Sequence, residues 1–338
     1  MRKFFGGILV GTALLSTAAL AASPAAAPDL GLDIYAQPGQ LVDIGGGRHM
    51  NLRCSGSSAP TVLLDIGTGM TSMSWRKVQP LVAKTNRVCS YDRAGYAFSD
   101  PAAPPRTAQA EAEDLGALVT AAQLPTPLIL VGHSMASYIV RLYAAAHPKD
   151  VAGIVLVDPI SESLADDAPA VAQNEAKLIA ENDAHVRKCA EAAHKGELDT
   201  PGPAAQACVP PSFPGLSERL SDSVRQRFRS AVFWDTSLSE RESGAANNAA
   251  MKAAPALVSN PPLIVLAADG TNSWLPADQR KAADAAYDAG RKRIARQSSH
   301  GVVVRVKDSS HDMQEDRPDA IAQAIARMTA AQGKAAAK

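Results

Sequence analysis

The chain has no excess of charge of either sign: its 338 residues include 34 basic and 34 acidic side chains, with no long block of one kind. That removes the electrostatic footprint of a nucleic-acid binder or of a protein held on an anionic membrane surface. No internal repeat is visible. Only four cysteines occur, and no Cys-x-x-Cys or Cys/His ligand spacing, so no zinc site is expected. What remains is ordinary globular composition, 46% hydrophobic and 20% charged. The length suits one large domain with an insertion, or two small domains. Nothing in the pattern sets an oligomeric state.

The amino terminus has the composition of a targeting segment. Arg2 and Lys3 precede a mostly apolar run from Phe4 to Leu20, and Ala19-Leu20-Ala21 fits a small-x-small cleavage site, with a second option after Ala25-Ala26-Ala27. Gly, Thr and Ser dilute the apolar run, which argues against a retained anchor. Residues 1–21 are therefore expected to be a signal peptide, and the mature protein to be periplasmic or extracellular without stable membrane insertion. In an oxidising compartment an even number of cysteines suggests two disulfides, and four cysteines leave three pairings open.

Beyond a linker reaching about Pro28, hydrophobic patterning predicts strands over Gln40–Ile44 and Arg48–Cys54, joined by a turn at Gly45-Gly46-Gly47. Further strands are predicted over Thr61–Asp65, Arg87–Tyr91, Leu128–Val131, Gly153–Val157, Leu263–Ala267 and Val302–Val306. The later runs are Val-, Ile- and Leu-rich, as expected of strands buried on both faces of a parallel sheet. Helices are predicted over Ser72–Lys84, Thr107–Leu124 and Arg317–Met328. Between Pro159 and Pro262 no convincing buried strand occurs, and helical segments fall near Asp167–Lys195 and Leu216–Phe233. This stretch, 159–261, reads as a helical cap inserted into a core made of 28–158 and 262–330. The tail 331–338 is expected to be frayed.

The chemistry is announced at residues 132–136, Gly-His-Ser-Met-Ala, directly after a strand and directly before a helix. That context makes a short pattern a nucleophile elbow, with Ser134 raised from the carboxyl edge of the sheet. A serine hydroxyl is a poor nucleophile until a neighbour takes its proton, so one of the seven histidines must act as base.

In these features, and in two loops, the chain resembles the α/β-hydrolase superfamily over nearly its whole length after the expected signal peptide. The elbow departs from Gly-x-Ser-x-Gly only at Ala136. Residues 62–69, Val-Leu-Leu-Asp-Ile-Gly-Thr-Gly, with Trp75 beyond, resemble the family's oxyanion loop. The resemblance implies backbone N–H donors from Thr68 and Met135. Residues 91–100, beginning Tyr-Asp-Arg-Ala-Gly, resemble the family's loop after the fourth strand. Asp92 and Arg93 are read there as a buried ion pair bracing the active-site floor. The resemblance further implies an eight-stranded, mostly parallel sheet with helices on both faces, in which the second and fourth strands are neighbours. That pairs Cys54 with Cys89 and leaves Cys189 with Cys208 as a staple within the cap.

His311, in Asp308-Ser309-Ser310-His311-Asp312, matches the family's closing loop and the chain order serine, acid, histidine. The acid follows either the sixth or the seventh strand. Asp158 is favoured, with Asp269 as the alternative, because the usual acid position after the seventh strand falls on Thr271. A serine in the elbow disfavours epoxide hydrolysis and dehalogenation, whose branches resemble this chain but use aspartate there. The expected activity is cleavage of carboxylic esters of small or medium acyl substrates through an acyl-enzyme, without metal or organic cofactor. Alternatives are an amidase or aminopeptidase of the proline iminopeptidase type, a cofactor-free perhydrolase, and a non-catalytic binding protein. A peptidase would need acidic groups for the substrate amine, for which Glu162, Asp166, Asp167 and Glu181 are candidates. Trp75, Met135, Trp234 and Trp274 are candidate pocket residues.

Overall fold

Short Val/Ile/Leu runs can be buried on both faces only if helices cover both sides of the sheet they form. The computed structural model, which describes residues 30–211, 215–254, 256–273, 275 and 277–336, has that architecture. The strands are β1 (Gln40–Asp43), β2 (His49–Ser55), β3 (Val62–Asp65), β4 (Val88–Tyr91), β5 (Leu128–His133), β6 (Val151–Val157), β7 (Leu263–Ala268) and β8 (Gly301–Val306). They form one sheet in the order β1-β2-β4-β3-β5-β6-β7-β8. The β1/β2 and β2/β4 pairs are antiparallel and every other pair is parallel.

The helices of the first half are α1 (Gln79–Val82), α2 (Ala108–Ala121) and α3 (Ala136–Ala146). A helix was expected from Ser72 to Lys84. The chain instead makes a 3-10 turn at Ser72–Trp75 and then the short α1. Pro80, which has no N–H to donate, is tolerated only in a first turn, so the helix starts at Gln79. Thr107 caps α2, its hydroxyl accepting from the Ala110 N–H.

Between β6 and β7 lie α4 (Leu164–Asp167), α5 (Pro169–His194), α6 (Pro203–Cys208), α7 (Glu218–Arg229), α8 (Ala231–Glu242) and α9 (Gly244–Ala253), with no strand among the described residues. Where one helix was expected from Leu216 to Phe233, Ser230 adopts an extended conformation and divides α7 from α8. The chain closes with α10 (Ala277–Ala295), α11 (Met313–Asp316) and α12 (Pro318–Ala336). α12 runs on to Ala336, into the tail expected to be frayed, through Ala331, Gln332, Gly333, Lys334 and Ala335. Residues 337 and 338, like the expected signal peptide at 1–21, lie outside the described residues. None of the described helices is long and apolar enough to cross a membrane.

One face of the sheet packs on α2, α3 and the end of α10, through Leu115, Leu118, Ile139 and Ile294. The other packs on α1 and α12, through Val82, Ile321, Ile325 and Met328. Each fully buried aliphatic side chain of this kind stabilises the fold by roughly 1.5–3 kcal/mol. The inserted helices have a separate core of Val186, Leu198, Phe233 and Trp234, to which Tyr96 of the sheet domain contributes.

Both cysteine pairs are disulfides, Cys54–Cys89 and Cys189–Cys208. Cys54 and Cys89 are directly opposite each other in the β2/β4 ladder. The other bond ties α5 to α6. It also consumes the sulfurs of the single metal-like cluster among the described residues, His185 with Cys189 and Cys208.

Candidate active site

Ser134 sits between β5 and α3 with φ of 54°, the left-handed conformation that lifts its side chain out of the sheet. The turn closes tightly because Gly132 has no side chain: a Cβ there would lie 2.7 Å from the Ala136 carbonyl oxygen. Ala136, in the place of the pattern's second glycine, is itself fully buried. The Ser134 N–H donates to the Val157 carbonyl at 3.1 Å, fixing the elbow to β6.

His311, in the loop between β8 and α11, brings Nε2 to 2.9 Å from Ser134 Oγ. Its Nδ1 lies 2.8 Å from Oδ2 of Asp158, the residue directly after β6. The structure thus brings together Ser134, His311 and Asp158. Asp269 is elsewhere: it is exposed, and its carboxylate accepts from the Asp308 and Ser309 N–H groups, both at 3.1 Å. It braces the loop that carries His311 without touching the imidazole.

Asp158 is almost fully buried, yet four donors converge on it. The Ala268 N–H lies 3.1 Å from Oδ1, the Thr271 hydroxyl 2.9 Å from Oδ2, His311 Nδ1 reaches Oδ2, and Arg291 Nη2 forms a short bond with Oδ1. Burial, the largest single influence, raises the carboxyl pKa. The His311 hydrogen bond, the Arg291 and His311 charges and the Ala268 N–H together outweigh it and leave the group below its ordinary value. Thr271 therefore stands where the family's acid usually does and donates to the carboxylate that replaces it.

His133 is buried beneath His311, the two rings 4.7 Å apart. Burial first, and then the His311 charge, hold its pKa down to about 3. The neutral ring donates from Nε2 to the His311 carbonyl oxygen at 2.9 Å, so it anchors the backbone of that residue.

The loop after β3, where an oxyanion donor is expected, runs close beside the elbow. A Cβ on Gly67 would lie 3.1 Å from the Ser134 Cβ. Thr68 and Met135 line the same cavity as Ser134, with Met135 at the start of α3, where N–H groups have no partner in a preceding turn. Arg93 holds this loop from behind, donating to the Ile66 carbonyl in a short bond and to the Gly67 carbonyl at 3.0 Å.

The expected Asp92–Arg93 ion pair does not form. Asp92 accepts from the Asn51 amide and the Ser72 N–H, while Arg93 pairs with Asp65, Glu111 and Glu240 at 3.0–3.2 Å. Adjacent residues of a loop point apart, and the buried guanidinium takes carboxylates from β3, α2 and α8 instead.

The cavity over Ser134 measures about 420 Å³. Ile160, Leu164 and Ile179 form an apolar wall, and Arg241, Asn247 and Asn248 a polar one. Of the expected pocket residues, Met135 lines it. Trp75 is instead buried in the core beneath α1 and α12 and Trp234 in that of the inserted helices, and Trp274 lies outside the described residues.

Sequence reasoning missed Arg291, Glu240 and the anchoring role of His133. Arg291 carries a local signal, a cation four residues after Tyr287 on α10 and hence on the same helix face, where its guanidinium lies 5.5 Å from the ring.

Comparisons with known proteins agree with this architecture. A model of the alpha/beta hydrolase family matches residues 67–324. The protein YqjL of Bacillus subtilis is 33% identical over 104 residues, which are 31% of this chain and 41% of that protein. The matches cover less than half the length of each of the first three curated relatives. Among solved structures, a thermophilic esterase from Thermogutta terrifontis superposes with a TM-score of 0.58 at 20% identity, covering 86% of this chain and 97% of the esterase. A loop variant of the haloalkane dehalogenase DbeA from Bradyrhizobium elkanii gives 0.58 at 20% identity, covering 85% and 96%. At that identity both show a shared fold alone. The family match spans most of the sequence, its elbow and its closing histidine loop included: the chain belongs to the alpha/beta hydrolase family.

Proposed function

We propose that this protein is an exported serine hydrolase that cleaves carboxylic esters of small or medium acyl substrates. The observation that carries the reading is the continuous hydrogen-bonded line from Ser134 Oγ through both His311 nitrogens to Asp158, at 2.9 and 2.8 Å. In the proposed reaction Ser134 Oγ attacks the ester carbonyl carbon while His311 Nε2 takes the hydroxyl proton. The Thr68 and Met135 N–H groups hold the oxyanion, each such donor contributing roughly 3 kcal/mol of transition-state stabilisation. His311 returns the proton to the departing alkoxide, leaving an acyl-serine and a free alcohol. Water then attacks the acyl carbon as His311 takes its proton, and collapse restores the Ser134 hydroxyl and releases the acid. Asp158 stays ionised throughout and stabilises the imidazolium.

A serine at the elbow supports acyl transfer over dehalogenation, whatever the fold shares with DbeA. The peptidase alternative is weakened because none of its candidate acids is among the residues that line the cavity. Glu162 is held by Arg141, Asp166 by Lys252 and Asp167 by Arg293, and Glu181 is exposed on α5. Export is supported by the two disulfides and by the composition of residues 1–21.

The test is labelling with a fluorophosphonate, comparing wild type with Ser134→Ala. Wild type alone should label, and equal labelling of both would refute the nucleophile. Faster turnover of p-nitrophenyl esters than of aminoacyl anilides is then expected, and the reverse order would favour the peptidase.

A further inference from the structure

Asp158 is the acid of the proposed triad, and it faces a second cation besides the imidazole. We propose that Arg291 is a positioning residue of the reaction, one that fixes the Asp158 carboxylate and limits how strongly it holds a proton on His311. The inference rests on the serine-hydrolase reading above and names a residue that reading does not require.

Arg291 projects from α10 and is almost entirely buried. Its Nη2 donates to Asp158 Oδ1 and lies 2.8 Å from Thr271 Oγ1, and its Nη1 lies 3.4 Å from Asp288 Oδ1. The guanidinium stacks 5.5 Å from the Tyr287 ring, whose hydroxyl donates to Glu175. It is thus held on several sides and cannot swing away from the carboxylate. The four donors on Asp158 use the roughly four lone-pair sites a carboxylate offers. Three of them, the Ala268 N–H, the Thr271 hydroxyl and Arg291 Nη2, come from outside the imidazole and hold the carboxylate with Oδ2 facing His311 Nδ1.

Charge follows from the same geometry. An Asp–His pair alone becomes neutral when the imidazole is protonated; with Arg291 present the cluster becomes positive. Arg291 therefore places a fixed positive charge on the carboxylate against which a protonated imidazole would form. The other titratable groups facing the cluster do not replace that charge. His133 is neutral, Glu175 and Tyr287 are bonded to each other, and Asp288 is shared between Arg291 and Arg305.

The experiment compares the pH dependence of kcat/KM in wild type, Arg291→Met and Arg291→Lys, together with the NMR titration of His311, assigned by the loss of its signal in His311→Gln. In Arg291→Met both the acid limb and the His311 titration should move up by about one pH unit, a tenfold change in proton affinity. Arg291→Lys should return most of the shift. A purely structural Arg291 would lower the rate at every pH and leave both midpoints in place, which overturns the proposal. If Arg291→Met does not fold, Arg291→Gln, neutral but still an N–H donor, carries the same comparison; failure of both to fold makes Arg291 a stability residue and also overturns it. Fluorophosphonate labelling of the wild type separates the two hypotheses. An unlabelled wild type defeats the serine-hydrolase reading, whereas a labelled enzyme with unmoved midpoints defeats only the role of Arg291.

Discussion

Arg93 grips Glu240 with two parallel hydrogen bonds, Nε to Oε1 at 3.0 Å and Nη2 to Oε2 at 3.1 Å, and so joins the loop after β4 to the inserted helix α8. The same guanidinium pairs with Asp65 and Glu111, and neither these two nor Glu240 has another ion-pair partner among the described residues. Arg93→Met strands three buried carboxyl groups. Urea denaturation at neutral pH should show a loss of about 3–5 kcal/mol. An unchanged midpoint would mean that the carboxylates find other partners.

Glu111 makes the cluster sensitive to pH. Burial, and next the Glu240 charge, hold its carboxyl well above the ordinary value. The folded protein therefore keeps a proton that the unfolded chain releases. Its contribution to stability is complete below the unfolded value and declines as pH rises toward the folded one. Glu111→Gln removes that decline. Its Tm should match wild type near pH 4.5 and exceed it by about 2–4 °C at pH 8. A gain that is constant across this range would point to packing instead of ionisation.

The choice of acid has a direct test. Asp158→Asn leaves the shape of the site but cannot stabilise the imidazolium, and should lower turnover by about 10⁴. Asp269→Asn removes one acceptor from the loop carrying His311 and should cost less than about tenfold. Comparable losses in the two variants would reassign the acid or show that the loop must be held by a carboxylate.

Cys189 and Cys208 close a short loop inside the inserted segment, 19 residues apart in sequence. Replacing both by serine should lower stability by about 3 kcal/mol on the chain-entropy model. The loss should be visible as a lower denaturation midpoint in oxidising buffer and absent when wild type and variant are compared under reducing conditions.

What was legible in the sequence was local. The strands β3, β5 and β6 announce themselves because each is buried on both faces and apolar up to its carboxyl end, where Asp65 closes β3 and His133 closes β5. Ser134 sits in the turn directly after β5 and His311 in the loop after β8, and those placements are themselves the signal. The acid was less clear because Asp158 and Asp269 directly follow adjacent parallel strands, and sequence position alone puts both at the same edge. What separates them comes from elsewhere in the chain: the Thr271 hydroxyl, the Ala268 N–H and a guanidinium on α10 all converge on Asp158. Arg93 was misread for a related reason. Its nearest charged neighbour along the chain is Asp92, but its partners lie 28, 18 and 147 residues away. Long-range ion pairs leave no periodicity to detect.

Asp158 is the last residue of the sheet domain before the inserted helices begin, and the chain returns to the sheet at Pro262 and Leu263. Recombination that exchanges the insert for a homologous one must therefore place its upstream crossover after Asp158. A junction even one residue earlier would carry the acid off with the donor fragment. The downstream junction at Pro262 leaves Thr271, Arg291 and His311 with the recipient. A chimera cut at these two points would take Ile160, Leu164, Ile179, Arg241, Asn247 and Asn248 of the cavity from one parent and keep Ser134, Asp158 and His311 of the other.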